Sequence, residues 1–489
     1  MKLKDLLKNI DLDYKWDADL NKELIPTTKT DNIQENSILF IYKRIDGSPS
    51  IKAEDISNKP YAIVCDTETE GNLCESVIYV DNVRLALAFA FSEHYCINYD
   101  ELTFIGVTGT NGKTTTATLL YSILSNEEKS GFIGTGKIIC DKKELSNSEY
   151  TMTTPDPELL YKIIKEMQNY GCKYIVMEVS SHALGFYKVD AIPFKLSLFT
   201  NLSSEHMDFH KTVENYFNSK CRLFNLSEKC IFNIDDSYGK VAYKKFKEKA
   251  ISVGIIANAD ISAVSLESKG LHGSSYYYKK KGLIFKTELR LPGPYNIYNA
   301  LLATTAAIEL GLLPCKIKRY LSDISIIEGR LEEAEEGSNV FIDYAHTPLA
   351  LENLLVFVNT AKETWQKVVV VFGCGGERDK SKRCKMGKIA SEYADLIILT
   401  EDNSRNEKLE SILLDIEKGI VEGTEYKIIK SRKEAIETAI FETTEHDIVL
   451  IVGKGHERYI IDNSGKHPFD ERKIIKEALY RFRGEKNEN

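Results

Sequence analysis

One stretch limits what this chain can become more than any other. An apolar run, Phe104-Ile-Gly-Val107, leads into Thr108-Gly-Thr-Asn-Gly-Lys-Thr-Thr115, and a helical pattern follows. Glycines let the backbone approach phosphates, while Lys113 and the amino end of a helix supply positive potential. The usual GxxxxGK[ST] spacing would need Gly at 107, where Val stands, so this loop is a variant. The order strand, Gly112-Lys113-Thr114, helix keeps the required context. The residues predict a nucleotide loop made of Gly109, Thr110, Asn111, Gly112, Lys113, Thr114 and Thr115.

The surrounding pattern fits an α/β chain. From Leu102 to about residue 310, apolar strands (Phe104–Val107, Tyr174–Glu178, Leu196–Phe199, Ile231–Ile234) alternate with helical stretches, which predicts βαβ units and a parallel sheet. Between Ala259 and Leu291 strand-like alternation around Gly273-Ser-Ser275 and Lys279-Lys-Lys-Gly282 predicts antiparallel hairpins added to that sheet. A helix is expected from about Asn296 to Leu310. In the last third, Val368–Phe372, Leu396–Thr400 and Ile448–Val452 are apolar on consecutive residues, as strands covered on both faces are. Their loops and Tyr344-Ala-His-Thr347 should converge on one crevice outside the strands' carboxyl ends.

With 489 residues the chain should hold about three domains. The expected division is 1–100, a small α/β unit with strands near Ser37–Tyr42 and Tyr61–Cys65; 101–328, the nucleotide-binding unit; and 329–489. Gly329 interrupts the pattern at the second boundary.

A net charge of −9 argues against a nucleic-acid or anionic-membrane binder. No apolar run approaches the ~20 residues that span a bilayer, and the start from Met1 to Lys8 lacks a signal peptide's apolar core. A cytoplasmic monomer without membrane insertion is expected. The ten cysteines are scattered without a CxxC pair, so neither a zinc site nor a disulfide framework is indicated.

A triphosphate at this loop needs a divalent cation with hard oxygen ligands, and the Thr114 hydroxyl with Glu178 at a strand end fits that need. His206, in Glu205-His-Met-Asp208, is a candidate second ligand. Lys220, in Tyr216-Phe-Asn-Ser-Lys220, reads from its residues alone as a surface helix charge.

These residues resemble the Mur ligase family, the ATP-dependent amide ligases that build the peptide stem of peptidoglycan. The likeness is carried by Gly109-Thr-Asn-Gly-Lys-Thr-Thr115, Glu178-Val-Ser-Ser-His182, Thr200-Asn-Leu with His206, Asn296 to Asn299, Gly329-Arg330 and Asp343-Tyr-Ala-His346. The resemblance implies a small amino-terminal α/β domain, a central mononucleotide-binding parallel-sheet domain and a Rossmann-like carboxyl-terminal domain. It also implies ATP and Mg²⁺ as cofactors. Lys113 and Thr114 would hold phosphates and Mg²⁺, Glu178 and His206 would bind Mg²⁺, and Asn299, Arg330, Asp343 and His346 would line the ATP site. Lys220 would be the family's carbamylated lysine, which turns a cation into a carboxylate-like group able to sit beside Mg²⁺.

Within the family, Gly373-Cys-Gly-Gly-Glu-Arg-Asp379, Asp402-Asn-Ser-Arg405 and Gly453-Lys-Gly-His-Glu457 are similar to the branch that adds the third stem residue. Its substrates are UDP-N-acetylmuramoyl-L-alanyl-D-glutamate and a diamino acid, with meso-diaminopimelate favoured here because Arg405 is present. Recognition of an amino acid demands opposed charges, and Arg378, Arg405 and Glu457 supply them, beside Asp402, Asn403 and Gly453. Ser404 stands where that branch usually has Pro. On the nucleotide-sugar side the resemblance implies Thr153, Thr154, Ser180 and Lys188, with Lys188 in place of an Arg. The amino-terminal uridine pattern Asp-Ser-Arg appears as Lys29-Thr-Asp31, in which Thr30 can supply the hydroxyl. The implied reaction activates the D-glutamate γ-carboxylate as an acyl phosphate, which the acceptor amine then attacks, with closure about Glu328. Two alternatives stay open on the residues: a ligase using lysine or another carboxylate substrate, and an ATP-binding regulatory protein without ligase activity.

Overall fold

The computed structural model describes residues 2, 21–66, 74, 76–145, 152–280, 282–324 and 326–488. Apart from Lys2, the amino-terminal run from Met1 to Lys8 lies outside them.

Three sheets of four or more strands follow one another along the described residues. Four parallel strands, Ile25–Thr27, Ser37–Ile41, Ala62–Cys65 and Ser76–Tyr79, pair in sequence order. The second and third are buried throughout, and the helix Val83–His94, capped by the Asn82 side chain on Leu85 N, follows them. Their core does not end at the sheet: Phe40, Val64 and Phe91 belong to the same apolar cluster as Phe104, Tyr161 and Phe224 further along the chain.

The second sheet has eleven strands, with Thr103–Thr108 between Phe194–Phe199 and Tyr174–Glu178. These three pair in parallel, as the βαβ cadence implied. Chain order reverses beside Thr103–Thr108, so the crevice favoured for ligands lies at its carboxyl end. One face is covered by the helices Lys113–Leu124 and Pro294–Glu309, the other by Pro157–Asn169 and Val213–Asn225. The expected hairpins are present as Ile261–Ser268, Ser274–Lys280 and Leu283–Leu289.

The sheet is mixed at both ends, at one through the expected hairpins and at the other through a hairpin not singled out from the sequence. Ser130–Gly134 pairs in parallel with Tyr174–Glu178, then turns back as the antiparallel strand Lys137–Cys140. Glycines at 131, 134 and 136 interrupt the apolar pattern of this hairpin, which was not singled out from the sequence. A Cβ at Gly131 would stand 2.4 Å from Met167 Sδ, and one at Gly134 would stand 2.4 Å from Glu178 Oε1, so close packing excludes side chains there.

In the third sheet Val340–Asp343, Ile448–Val452, Val368–Phe372, Leu396–Leu399 and Tyr426–Ile428 lie side by side in parallel, and Glu332–Glu333 adds one antiparallel edge. The central strands are buried on every residue, in agreement with their unbroken apolar sequences. No helix is long and apolar enough to cross a membrane among the described residues.

Candidate functional site

The phosphate loop is four residues long. The strand ends at Thr108 and the helix begins at Lys113, so Val107 belongs to the strand and no glycine is needed there. Gly109 and Gly112 are indispensable for two reasons: both have positive φ, and a Cβ would stand 1.9 Å from Thr200 Oγ1 at the first and 2.4 Å from Asn299 Oδ1 at the second. The loop is fastened to the next strand end. Thr110 N donates to Asn201 O (2.8 Å), Asn111 N to Asn201 Oδ1 (3.0 Å), and Thr200 Oγ1 donates to Asn111 O (2.6 Å).

Lys113 Nζ donates to Gly109 O (3.0 Å) and Thr110 O (2.7 Å). Lys220 Nζ reaches the same Gly109 O at 2.7 Å. Lys220 is 1 % exposed, so its reading as a surface charge is corrected: its helix turns it inward under the loop. Burial, and then the charge of Lys113, push its amine well below the ordinary lysine range.

Thr114 Oγ1 donates to Glu178 Oε2 at 2.9 Å and accepts from Arg330 Nη2 at 3.0 Å. Glu178 is fully buried, and Thr135 N donates to its other oxygen at 2.9 Å. Two hard oxygen donors therefore lie together beside the lysine of the phosphate loop, a donor set that fits Mg²⁺. Among the described residues no group of three His, Cys, Asp or Glu side chains forms a ready cage. Mg²⁺ does not require one, since it keeps waters and nucleotide oxygens among its ligands.

His206 caps a short helix with φ 59° and packs edge-on against His182, with ring centroids 4.8 Å apart. Burial takes its pKa down to about 4, so the ring is neutral at pH 7. Its neighbour Glu205 has more contacts: Oε2 is 3.7 Å from His206 Nε2, and Oε1 is 3.1 Å from His346 Nε2 in the third sheet's domain. Burial pushes the Glu205 carboxyl up, but chiefly the hydrogen bond to His346, with the charge of Lys113 added, leaves it below the usual carboxylate range.

A cavity of about 560 Å³ opens beside the loop, between the second and third sheets. Asn111, Gly112, Thr115, Asn299, Arg330, Asp343 and His346 line it, so seven residues singled out by sequence meet at one opening. Arg330 stacks on Tyr344, its guanidinium 4.6 Å from the ring centre. Asp343 accepts from Leu331 N and Ala345 N, both at 2.7 Å, and burial raises its pKa.

The carboxyl-terminal loops converge as expected. Gly453 N donates to Asp343 O (2.9 Å), and Gly376 N to Asn403 O (2.9 Å). Asn403 Nδ2 donates to Glu457 Oε2 at 2.8 Å. Arg405 is half-buried with φ 53°; its Nη1 donates to Gly376 O at 2.8 Å, and no carboxylate lies within 4 Å of it among the described residues. Arg378 is exposed on the loop after Phe372.

On the opposite side, Thr153 Oγ1 is 3.1 Å from Thr135 Oγ1. Thr154 Oγ1 donates to Glu178 O (2.9 Å) and accepts from Ser180 N (3.2 Å), while Ser180 Oγ caps the following helix by accepting from Ala183 N (3.1 Å). Both hydroxyls thus shape the segment around Glu178. Lys188 pairs with Asp156 at 2.7 Å. Thr30 begins a short turn whose Lys29 reaches Glu158 at 3.9 Å, so the amino-terminal loop faces this same segment.

Known proteins resemble this chain over nearly its whole length. The Mur ligase middle domain matches residues 107–307, and the glutamate ligase domain of Mur ligases matches 329–455. A UDP-N-acetylmuramoyl-L-alanyl-D-glutamate--2,6-diaminopimelate ligase of Clostridium tetani is 40% identical, with 98% of this chain and 99% of that protein covered. The chain belongs to the Mur ligase family. Another ligase of the same description, from Caldanaerobacter subterraneus subsp. tengcongensis, is 36% identical over 98% of this chain and 99% of its own length. A solved structure of such a ligase superposes with a TM-score of 0.68 at 26% identity, covering 98% of this chain and 99% of that one.

Two residues of this Mur ligase site escaped sequence reading. Glu205 was visible only as the neighbour of His206, and nothing local marks it as the link to His346. Lys454 lies inside a quoted loop, yet its role depends on burial. It is fully buried, with Nζ 3.4 Å from Asp402 Oδ1, 3.2 Å from Asn403 Oδ1 and 3.4 Å from Glu457 Oε2. Burial would raise Asp402, but Lys454 and Arg432 hold it down at about 2.

Proposed function

We propose that this Mur ligase is an ADP-forming enzyme that adds meso-2,6-diaminopimelate to UDP-N-acetylmuramoyl-L-alanyl-D-glutamate, in the cytoplasm, during peptidoglycan precursor synthesis. The observation that carries the reading is that Thr114, next to Lys113 of the phosphate loop, bonds both Glu178 and Arg330, while Gly453 of the carboxyl-terminal loops bonds Asp343 at the cavity lined by Arg330. Full-length similarity to ligases of that description supports the same substrates.

ATP would lie along the cavity, its phosphates at Gly109 to Thr115 and its base and ribose toward Asn299, Asp343 and His346. Mg²⁺ would be held by Thr114 and Glu178, with His206 and the carbamate of Lys220 as further contacts, and would neutralise charge building on the transferred phosphoryl group. Thr153, Thr154, Ser180, Lys188 and Thr30 would receive the UDP-muramoyl dipeptide. Arg378, Asp402, Asn403, Arg405, Gly453 and Glu457 would receive the diamino acid: Arg405 binds a carboxylate through its planar fork, and Glu457 an ammonium.

Amide formation from a carboxylate needs a better leaving group than oxide. The γ-carboxylate oxygen of D-glutamate attacks the γ-phosphorus, the bond to the bridging oxygen of ADP breaks, and an acyl phosphate results. Lys113 and Arg330 stabilise the negative charge on the phosphoryl oxygens. The acceptor amine then adds to the acyl carbon, and phosphate leaves with the former carboxylate oxygen. Positioning and electrostatics carry the rate, so no nucleophilic Ser or Cys is needed.

The test is ADP release with UDP-muramoyl dipeptide and one diamino acid at a time. The reading expects meso-diaminopimelate to support turnover far better than lysine. Equal or faster turnover with lysine would overturn the assignment of Arg405, and ADP release with neither would overturn the substrate assignment.

A further inference from the structure

Thr135 lies at the tip of the hairpin formed by Ser130–Gly134 and Lys137–Cys140, outside every motif singled out from sequence. Its amide donates to Glu178 Oε1 at 2.9 Å and its hydroxyl donates to Oε2 at 3.2 Å, so one residue grips both oxygens of one carboxylate. The same hydroxyl stands 3.1 Å from Thr153 Oγ1. A hydroxyl carries one hydrogen and two lone pairs; if Thr135 donates to Glu178, it is left to accept from Thr153. The result is a directed chain from Thr153 through Thr135 to Glu178.

The tip is braced from two sides. Gly134 lets the Glu178 carboxylate pack directly on the backbone, since a Cβ there would stand 2.4 Å from Oε1. Gly136, with φ 66°, faces His456 of the carboxyl-terminal domain, and Lys137 lies 3.8 Å from Glu328, which in turn accepts from Arg458 at 2.9 Å. The turn that holds Glu178 is therefore in contact with the carboxyl-terminal domain.

The geometry points to Thr135 as a positioning residue that keeps the carboxylate of Glu178 and the hydroxyl of Thr153 in one register, so that the phosphoryl donor and the acceptor carboxylate meet at a fixed distance. This deepens the proposed function and rests on its reading of Glu178 as a Mg²⁺ ligand and Thr153 as a substrate contact. Thr135 acts through these two side chains.

Thr135→Val removes the hydroxyl while keeping the amide and the side-chain shape; Thr135→Ala serves as a second version, and Thr135→Ser restores the hydroxyl. Two readouts are needed: Mg²⁺-promoted ADP binding by calorimetry on the unreacted protein, and kcat and KM for the UDP-muramoyl dipeptide. Loss of a hydrogen bond to a charged group predicts roughly tenfold weaker Mg²⁺-promoted ADP binding and roughly tenfold lower kcat/KM for Val and Ala, with Ser within about twofold of the parent. Glu178→Gln is the control for the underlying reading and should abolish the Mg²⁺ dependence. If Glu178→Gln abolishes it while Thr135→Val and Thr135→Ala match the parent, the positioning role is wrong. A Ser variant as impaired as Val also overturns it. If Glu178→Gln keeps full Mg²⁺ dependence, the fault lies in the metal reading beneath it.

Discussion

The phosphate loop and the carboxyl-terminal loops proposed to receive the diamino acid are built by different physics. The phosphate side is held by backbone amides, carbonyls and hydroxyls: Gly109 and Gly112 pack where no Cβ fits, and Asn201 and Thr200 fasten the turn. The amino-acid side is held by buried charge. Lys454 lies among Asp402, Asn403 and Glu457, Arg383 pairs with Glu407 and Asp415, and Arg432 pairs with Glu471. A site made of backbone fails by losing its shape, whereas one made of buried ions fails by leaving a charge without a partner.

Gly109→Ala should have the largest effect. Its Cβ meets Thr200 Oγ1 in a positive-φ turn, so ADP formation should fall at least a hundredfold while calorimetry still detects diaminopimelate binding. If both activities fell together, the two sides would not be separable. Lys454→Met should act on stability instead, lowering it by about 3–5 kcal/mol in urea unfolding because the buried Asp402 and the half-buried Glu457 lose their cation. A loss below ~1 kcal/mol would show that these charges are solvated.

Arg405→Ala should raise KM for meso-diaminopimelate roughly tenfold and leave KM for ATP within a factor of about two. The smallest effect concerns acid stability. Asp402 has a pKa of about 2 against an unfolded value of 3.8, so its contribution is complete above pH ~4 and is lost as pH falls through about 2. Asp402→Asn should flatten the stability profile in that window, and an unchanged profile would contradict the pairing with Lys454.

These two sides also differed in how well they could be read beforehand. The phosphate loop was legible because its chemistry lies in the consecutive residues Gly109 to Thr115, where a strand passes into a helix. The three carboxyl-terminal loops were legible as well, since each follows an unbroken apolar strand. What stayed hidden depends on partners distant in sequence. Lys220 looks like any helix-surface lysine until Gly109, 111 positions earlier, places a carbonyl 2.7 Å from it. Glu205 acquires its meaning from His346, and Thr135 from Glu178, across separations of 141 and 43 residues. The Ser130–Cys140 hairpin was missed because the glycines that let it pack also erase the alternation that announces a strand. The shared core of the first and second sheets was hidden for a similar reason, because burial periodicity does not say which neighbour covers a face.

The account depends on oxygen moving from substrate to phosphate. With ¹⁸O placed in both oxygens of the D-glutamate γ-carboxylate and one turnover allowed, mass spectrometry of the released phosphate decides the matter. An acyl phosphate formed beside Lys113 predicts one ¹⁸O in each inorganic phosphate, with ADP as the nucleotide product. Unlabelled phosphate, or label recovered in AMP, would contradict it.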